Sequence, residues 1–117
     1  MAWTIDSALN DKNIIVVERD DRFGSYSFRI GELSTVVNVE LRRALEGNET
    51  MFYRSHKIHT PTQLGPYTPS RPYWDDPAYA LHQAINSLTS YFREAVKKGH
   101  TPDESWLVPT GDSVFGL

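Results

Sequence analysis

The chain has 117 residues, of which 39% are hydrophobic and 23% are charged, and its formal net charge at pH 7 is −3. These values predict one soluble globular domain over 1–117, and they exclude a disordered chain or a protein that is basic overall. Cysteine is absent, which excludes disulfides and thiolate metal sites. No apolar run approaches the roughly 20 residues that cross a bilayer. Because the start of the chain also lacks a secretory pattern, we expect a cytoplasmic protein with no membrane contact.

The first strong pattern is a β-hairpin over residues 13–30. Asn13 to Arg19 contains four consecutive β-branched residues, which is typical of a strand covered on both faces for part of its length. Residues 20–24 have the composition of a turn, and Ser25 to Ile30 alternates polar and apolar side chains. We therefore expect two antiparallel strands joined by a short loop.

Residues 34–46 fit two patterns. Val37, Val39 and Leu41 alternate with polar residues, which predicts a strand, but the apolar residues also fit a helical stripe that ends before Gly47. We favour the strand because three valines occur within four positions and β-branched side chains suit extended backbone.

A fourth strand is predicted from Met51 to His59, where the alternation places Phe52, Arg54 and Ile58 on the same face. Residues 13–59 then form a four-stranded antiparallel meander with short connections.

Residues 60–75 form a proline-rich connection that must be extended or turning, because each proline removes a backbone donor and disfavours helix in the residue before it. Its aromatic residues predict an ordered segment. Two interpretations remain open: these side chains pack on the core, or they form a surface that binds another protein. The predicted protein-binding surface consists of Pro66, Tyr67, Pro69, Arg71, Tyr73 and Trp74.

A long amphipathic helix is predicted over residues 76–99. Asp76 can cap its first free N–H groups, Pro77 suits its first turn, and Gly99 can close it in the left-handed conformation. The apolar stripe is Leu81, Ile85, Leu88, Phe92, Ala95 and Val96. Polar residues that include Gln83, Asn86, Ser87 and Ser90 are expected on the other side of the helix.

The predicted fold class is therefore α+β: a four-stranded antiparallel β-sheet (meander) with one long C-terminal amphipathic helix packed on one face. After the helix, residues 106–108 are apolar and are expected to dock on the core. We expect residues 110–117 to be a flexible tail.

No pattern predicts a catalytic site, a metal site or a cofactor. His56 and His59 are three positions apart, which places them on opposite faces of a strand. Asp75 and Asp76 form a pair of carboxylates, but the helix cap accounts for Asp76. We therefore expect a protein that is not an enzyme.

The middle of the chain is locally basic, because residues 41–74 contain five Arg or Lys residues and two Glu residues. Basic residues mixed with aromatic ones on a sheet are typical of single-stranded nucleic-acid binding. The candidate residues are Arg42, Arg43, Arg54, Lys57 and Arg71.

The first functional hypothesis is a small, non-catalytic, cytoplasmic domain of the adaptor type that binds another protein through the proline-rich segment. The alternative is the nucleic-acid-binding module. The sequence is also compatible with a homodimer. One helix does not cover the whole sheet, so a second copy of the chain could bury its far face or an edge strand. The two functions differ in their response to salt, since only phosphate contacts weaken steeply as salt rises.

Overall fold

The structure is a computed structural model that describes residues 3–69 and 72–111, and its fold is α+β, as the sequence predicts. In chain order the elements are α1 (Ile5–Leu9), β1 (Ile14–Asp20), β2 (Ser25–Ile30), β3 (Val37–Arg43), β4 (Thr50–Arg54), β5 (His56–Ile58), β6 (Tyr73–Trp74), α2 (Pro77–Lys97), a 3-10 helix (Glu104–Trp106) and β7 (Leu107–Pro109).

The main sheet is antiparallel, with strand order β1-β2-β3-β4-β6. The predicted meander is present, and β6 adds a fifth strand from within the proline-rich connection. The ambiguous stretch 34–46 contains strand β3, in which Val37, Val39 and Leu41 are buried while the residues between them are partly exposed. Because every second side chain is buried, residues 37–43 form a strand and not the alternative helix.

The predicted fourth strand divides at Ser55, so that β4 stays in the main sheet and β5 pairs with β7. The Ser55 backbone connects the two sheets: its N–H donates to the Asn38 carbonyl (2.8 Å), and its carbonyl accepts from the Thr110 N–H (2.9 Å). The alternation of side chains continues through this point, so the sequence by itself carries no sign of the change of partner.

Helix α2 packs on β3, β4 and β5. Its predicted ends are confirmed: the Asp76 side chain accepts from the Tyr79 N–H, and Gly99 has φ +92°. Its core-facing residues are Leu81, Ala84, Ile85, Leu88, Phe92 and Ala95. Val96, which the stripe includes, is 43% exposed, although the adjacent Ala95 is fully buried.

Strand β1 forms an edge of the main sheet, and most of it is exposed. Ile15 and Val17 are about half exposed, which corrects the expectation that this strand is covered on both faces. A β-bulge interrupts the register between Val16 and Glu18. A bulge and charged residues are features that protect an edge strand from pairing with other chains.

The segment after α2 returns to the core, where Trp106 and Leu107 are buried as expected. Thr110 is anchored, since its hydroxyl donates to the Arg54 carbonyl (2.5 Å). The rest of the predicted flexible tail, from residue 112 onward, lies outside the described residues.

Candidate functional site

Three of the six predicted protein-binding residues line a groove between α2 and the proline-rich segment, which we call the α2–loop groove. These are Tyr67, Pro69 and Trp74. Pro66 is exposed on the adjoining loop, and Tyr73 lies on β6 opposite Met51, on the sheet face away from α2. The sixth residue, Arg71, lies outside the described residues. The structure therefore assembles half of the predicted surface in one place.

The α2–loop groove has a volume of about 230 Å³. One wall is aromatic and apolar, and the other is a polar strip of α2. The complete lining is Phe52, Tyr67, Pro69, Trp74, Gln83, Asn86, Ser87, Ser90 and Tyr91.

Helical periodicity produces the polar wall. Residues spaced by three, four and seven positions share one side of a helix, and this spacing relates Gln83 to Asn86, Ser87 and Ser90. The amphipathic pattern of α2 predicts that these residues lie on the side away from the core. The structure instead places them beneath the proline-rich segment, where Ser87 is buried. Only the position of that segment, which folds back over α2, could have revealed this.

Arg54 connects the two walls of this groove through hydrogen bonds to one residue of each wall. Its side chain is only 5% exposed, its Nη1 donates to Ser87 Oγ (3.1 Å), and its Nη2 donates to the Tyr67 carbonyl oxygen (3.4 Å). Burial of a guanidinium is costly unless hydrogen bonds compensate it. Arg54 therefore holds the loop at a fixed distance from the helix.

Most hydroxyl donors of the helical wall are used within α2. Ser87 Oγ donates to the Ala84 carbonyl (2.6 Å), and Ser90 Oγ donates to the Asn86 carbonyl (2.7 Å). By contrast, the Asn86 side-chain amide makes no hydrogen bond with any residue in the described ranges 3–69 and 72–111. It offers a donor and an acceptor to whatever enters the groove.

The aromatic wall is built from contacts between rings. Tyr67 lies 4.8 Å from Tyr91 between ring centroids, and Trp74 meets Tyr79 edge to face at the same distance. Burial raises the pKa of Tyr91, so its hydroxyl stays protonated at neutral pH and can act as a donor. Rings held in this way lose little side-chain entropy when a ligand packs on them.

The loop beside the groove is rigidly organised around Gln63. Its side chain accepts from the Thr60 N–H (2.8 Å) and donates to the carbonyls of Ile58 (3.1 Å) and Gly65 (3.3 Å). The next residue, Leu64, is fully exposed at the tip of this loop. A rigid loop that presents an apolar side chain to solvent is a feature of interaction surfaces.

The structure does not bring the predicted nucleic-acid-binding residues together. Arg42 lies on the face away from α2, where Nη1 donates to the Phe23 carbonyl (2.5 Å), whereas Arg54 is buried on the face beneath α2. Lys57 lies in β5, opposite Val108 of the small sheet, and Arg43 is exposed at the end of β3. The burial of Arg54 corrects the expectation that it belongs to an exposed basic surface.

Residues 3–69 and 72–111 contain neither a cluster of metal ligands nor a membrane-spanning helix. In these ranges no group of three or more His, Asp or Glu side chains could hold a metal ion. No helix in the same part of the chain is long and apolar enough to cross a membrane.

Comparison of the chain with models of protein families, with curated proteins and with solved structures finds no match.

Proposed function

We propose that this protein is a non-catalytic binding module that takes a short extended segment of a partner protein into the α2–loop groove. The observation that carries the proposal is the side-chain amide of Asn86, which has no hydrogen-bond partner within residues 3–69 and 72–111 and lines the groove together with Tyr67 and Trp74. A side-chain amide can pair with both the N–H and the C=O of a peptide backbone, while aromatic rings pack on its side chains.

The length of the groove fits such a segment. Gln83 and Ser90 are seven residues apart on α2, which corresponds to roughly 10 Å along the helix axis. An extended chain advances about 3.3 Å per residue, so the groove accommodates about three residues. Exposed Leu64 and Pro66, on the loop at its side, supply further contact area for the rest of the partner.

The amino-acid composition supports a cytoplasmic location for this binding module. A chain without cysteine is suited to a reducing compartment, and we place the protein in the cytoplasm.

A random linear-peptide display library, selected against the immobilised full chain, tests this function. Selected peptides are synthesised and titrated by fluorescence polarisation against the unchanged protein, Asn86→Ala and Ser90→Trp. We expect Asn86→Ala to weaken binding about threefold to tenfold, which corresponds to the loss of one or two peptide hydrogen bonds. Ser90→Trp fills the groove and should abolish binding.

Asn10→Ala is the matched control, because it removes the same amide from an exposed residue outside the groove. Circular dichroism verifies that each variant is folded. Failure to select any peptide would overturn the proposal, as would peptides that bind Asn86→Ala and Ser90→Trp as tightly as they bind the unchanged chain.

A further inference from the structure

A second and larger cavity lies at the end of the main sheet that carries the β1–β2 turn, and we call it the hairpin-end cleft. Its volume is about 560 Å³, and it opens between the β1–β2 turn, the β3–β4 loop and the start of α2. The lining residues that matter for the argument are Arg22, Phe23, Arg42, Arg43, Asn48 and Asp75. Loops that meet at one end of a rigid sheet are common positions for binding sites.

The β1–β2 turn presents an aromatic ring to solvent at this cleft. Asp20 Oδ1 accepts from the backbone N–H groups of Arg22 and Phe23 (both 3.1 Å), and the Phe23 carbonyl accepts from Arg42. Phe23 is nevertheless 64% exposed. The turn is thus fixed by hydrogen bonds while its large apolar side chain packs on little of the protein, which indicates that the ring is available for an external contact.

Two guanidinium groups accompany this ring. The Arg22 guanidinium carbon lies 5.9 Å from the centroid of the Phe23 ring, and Arg43 Nη2 donates to Asn48 Oδ1 (3.3 Å). Within residues 3–69 and 72–111, neither Arg22 nor Arg43 has a carboxylate within 4 Å. Their charges therefore remain available to an anion.

The two acidic residues that line the cleft differ in whether they form an ion pair. Asp21 forms a two-point ion pair with Arg19, with both N–O distances 2.8 Å, and this contact holds the pKa of Asp21 below its usual range. Arg19 also forms an ion pair with Asp6, so its positive charge is shared between two carboxylates. Asp75 is exposed on the wall formed by the start of α2. The lining contains three arginines and two aspartates, which is an excess of one positive charge, and one of these arginines, Arg42, pairs with Glu40.

We propose that the hairpin-end cleft binds a nucleotide, with the base stacked on Phe23 and the phosphate held by Arg22 and Arg43. Stacking on an aromatic ring and charge-assisted contacts from arginine are the two interactions that protein surfaces use for single-stranded nucleic acids. This site goes beyond the proposed function, because it shares no lining residue with the α2–loop groove.

The same chemistry can come from a free mononucleotide or from a nucleotide within a single strand, and two titrations distinguish these sources. In amide NMR spectra of the labelled full chain, AMP, adenosine and a ten-nucleotide oligo-dT are added at 50 mM salt. We expect shifts at Arg22, Phe23 and Asn48, larger with AMP than with adenosine. If only the oligonucleotide produces them, the ligand is a strand, and two phosphate contacts predict that its affinity falls about sevenfold between 50 and 200 mM salt.

The double variant Arg22→Gln/Arg43→Gln should weaken binding at least tenfold, and Phe23→Ser should weaken it several-fold. The control Lys97→Gln/Lys98→Gln removes the same charge at the far end of α2 and should bind as the unchanged protein does. The proposal is overturned if no ligand shifts the amides of the β1–β2 turn at 50 mM salt. It is also overturned if the arginine variant and the lysine control bind equally well.

Discussion

The α2–loop groove and the hairpin-end cleft both depend on arginine, but they use it in opposite ways. In the groove, Arg54 is 5% exposed, and its hydrogen bonds to Ser87 and Tyr67 connect two segments of the fold. At the cleft, Arg43 is exposed, and among the described residues its guanidinium donates a hydrogen bond only to the nearby Asn48. The first arginine stabilises the site, whereas the second is free to bind a ligand.

The comparison shows that the charge of a residue type does not reveal its role. Both arginines belong to the same locally basic part of the sequence and lie on neighbouring strands. Their difference comes from the cover that each receives, because α2 and the proline-rich segment close over Arg54 and nothing described closes over Arg43. A buried charge contributes through its partners, while an exposed charge contributes through screened, long-range attraction.

The largest expected difference between the two sites is in stability. Arg54→Met removes hydrogen bonds from a buried guanidinium and should lower the free energy of unfolding by about 2–4 kcal/mol. Arg43→Met, the same change at the cleft, should alter it by no more than about 0.5 kcal/mol. Urea denaturation measures both, and equal losses would show that Arg54 does not support the groove.

A pair of glycines tests the rigidity of the loops around the cleft. Gly24 and Gly47 both have positive φ, so alanine at either should cost about 1–2 kcal/mol. At Gly24 an added Cβ would also lie 2.9 Å from the Leu41 carbonyl oxygen, whereas at Gly47 it would meet nothing within 4 Å. In a denaturant titration, Gly24→Ala should therefore lower the free energy of unfolding by about 1 kcal/mol more than Gly47→Ala does. Similar values would mean that the β1–β2 turn can move away from β3.

As the pH is lowered, we expect the structure of the hairpin-end cleft to change at a higher pH than that of the α2–loop groove. The Arg19 contact lowers the pKa of Asp21 in the folded protein, so the stabilisation it provides is present above the unfolded-state value of about 3.9. It is lost as pH falls through the lower folded-state pKa. The groove lining contains no carboxylate.

An amide NMR titration from pH 6 to pH 2.5 checks this ordering. Amides of residues 20–24 should shift along the Asp21 titration while those of Asn86 and Ser90 remain constant until the protein unfolds. In Asp21→Asn the shifts that follow Asp21 should disappear. Simultaneous movement of both sets in the unchanged protein would show that the two sites are not independent.

The smallest expected effect on stability belongs to Asn86→Ala. Its amide has no partner within the described residues, and alanine favours helix more than asparagine does. The free energy of unfolding should stay within about 0.5 kcal/mol of the original value or rise slightly. Thermal unfolding measures this, and a loss above 1 kcal/mol would mean that Asn86 serves the fold rather than a ligand.

Much of the fold was predictable, because local signals and the tertiary structure agree. Asp76 and Gly99 mark the ends of α2, and the alternation in β2 matches its buried face. The exposed position of β1 was not predictable, since a run of β-branched residues describes a strand without stating its place in the sheet. An edge strand and a central strand can have the same local pattern.

The candidate sites were predictable only in part. Tyr67, Pro69 and Trp74 stood out as aromatic and proline residues in a segment unsuited to a linker. The polar wall of the groove did not, because Gln83 and Asn86 have the pattern of any solvated helix face. Phe23 and Arg22 were assigned to a turn, and a turn composition does not indicate which side chains it leaves exposed.

The sequence by itself determined the secondary structure of α2 and β2, the fold class and the absence of thiol chemistry, because these follow from periodicity, capping residues and composition. Tertiary structure decided that the fourth strand divides at Ser55, that β7 returns to pair with β5, and that Arg54 is buried. These features depend on contacts between residues far apart in the chain, such as Thr110 with Ser55. A local sequence pattern does not indicate such contacts, because the segment that covers a given side chain is determined only when the whole chain packs.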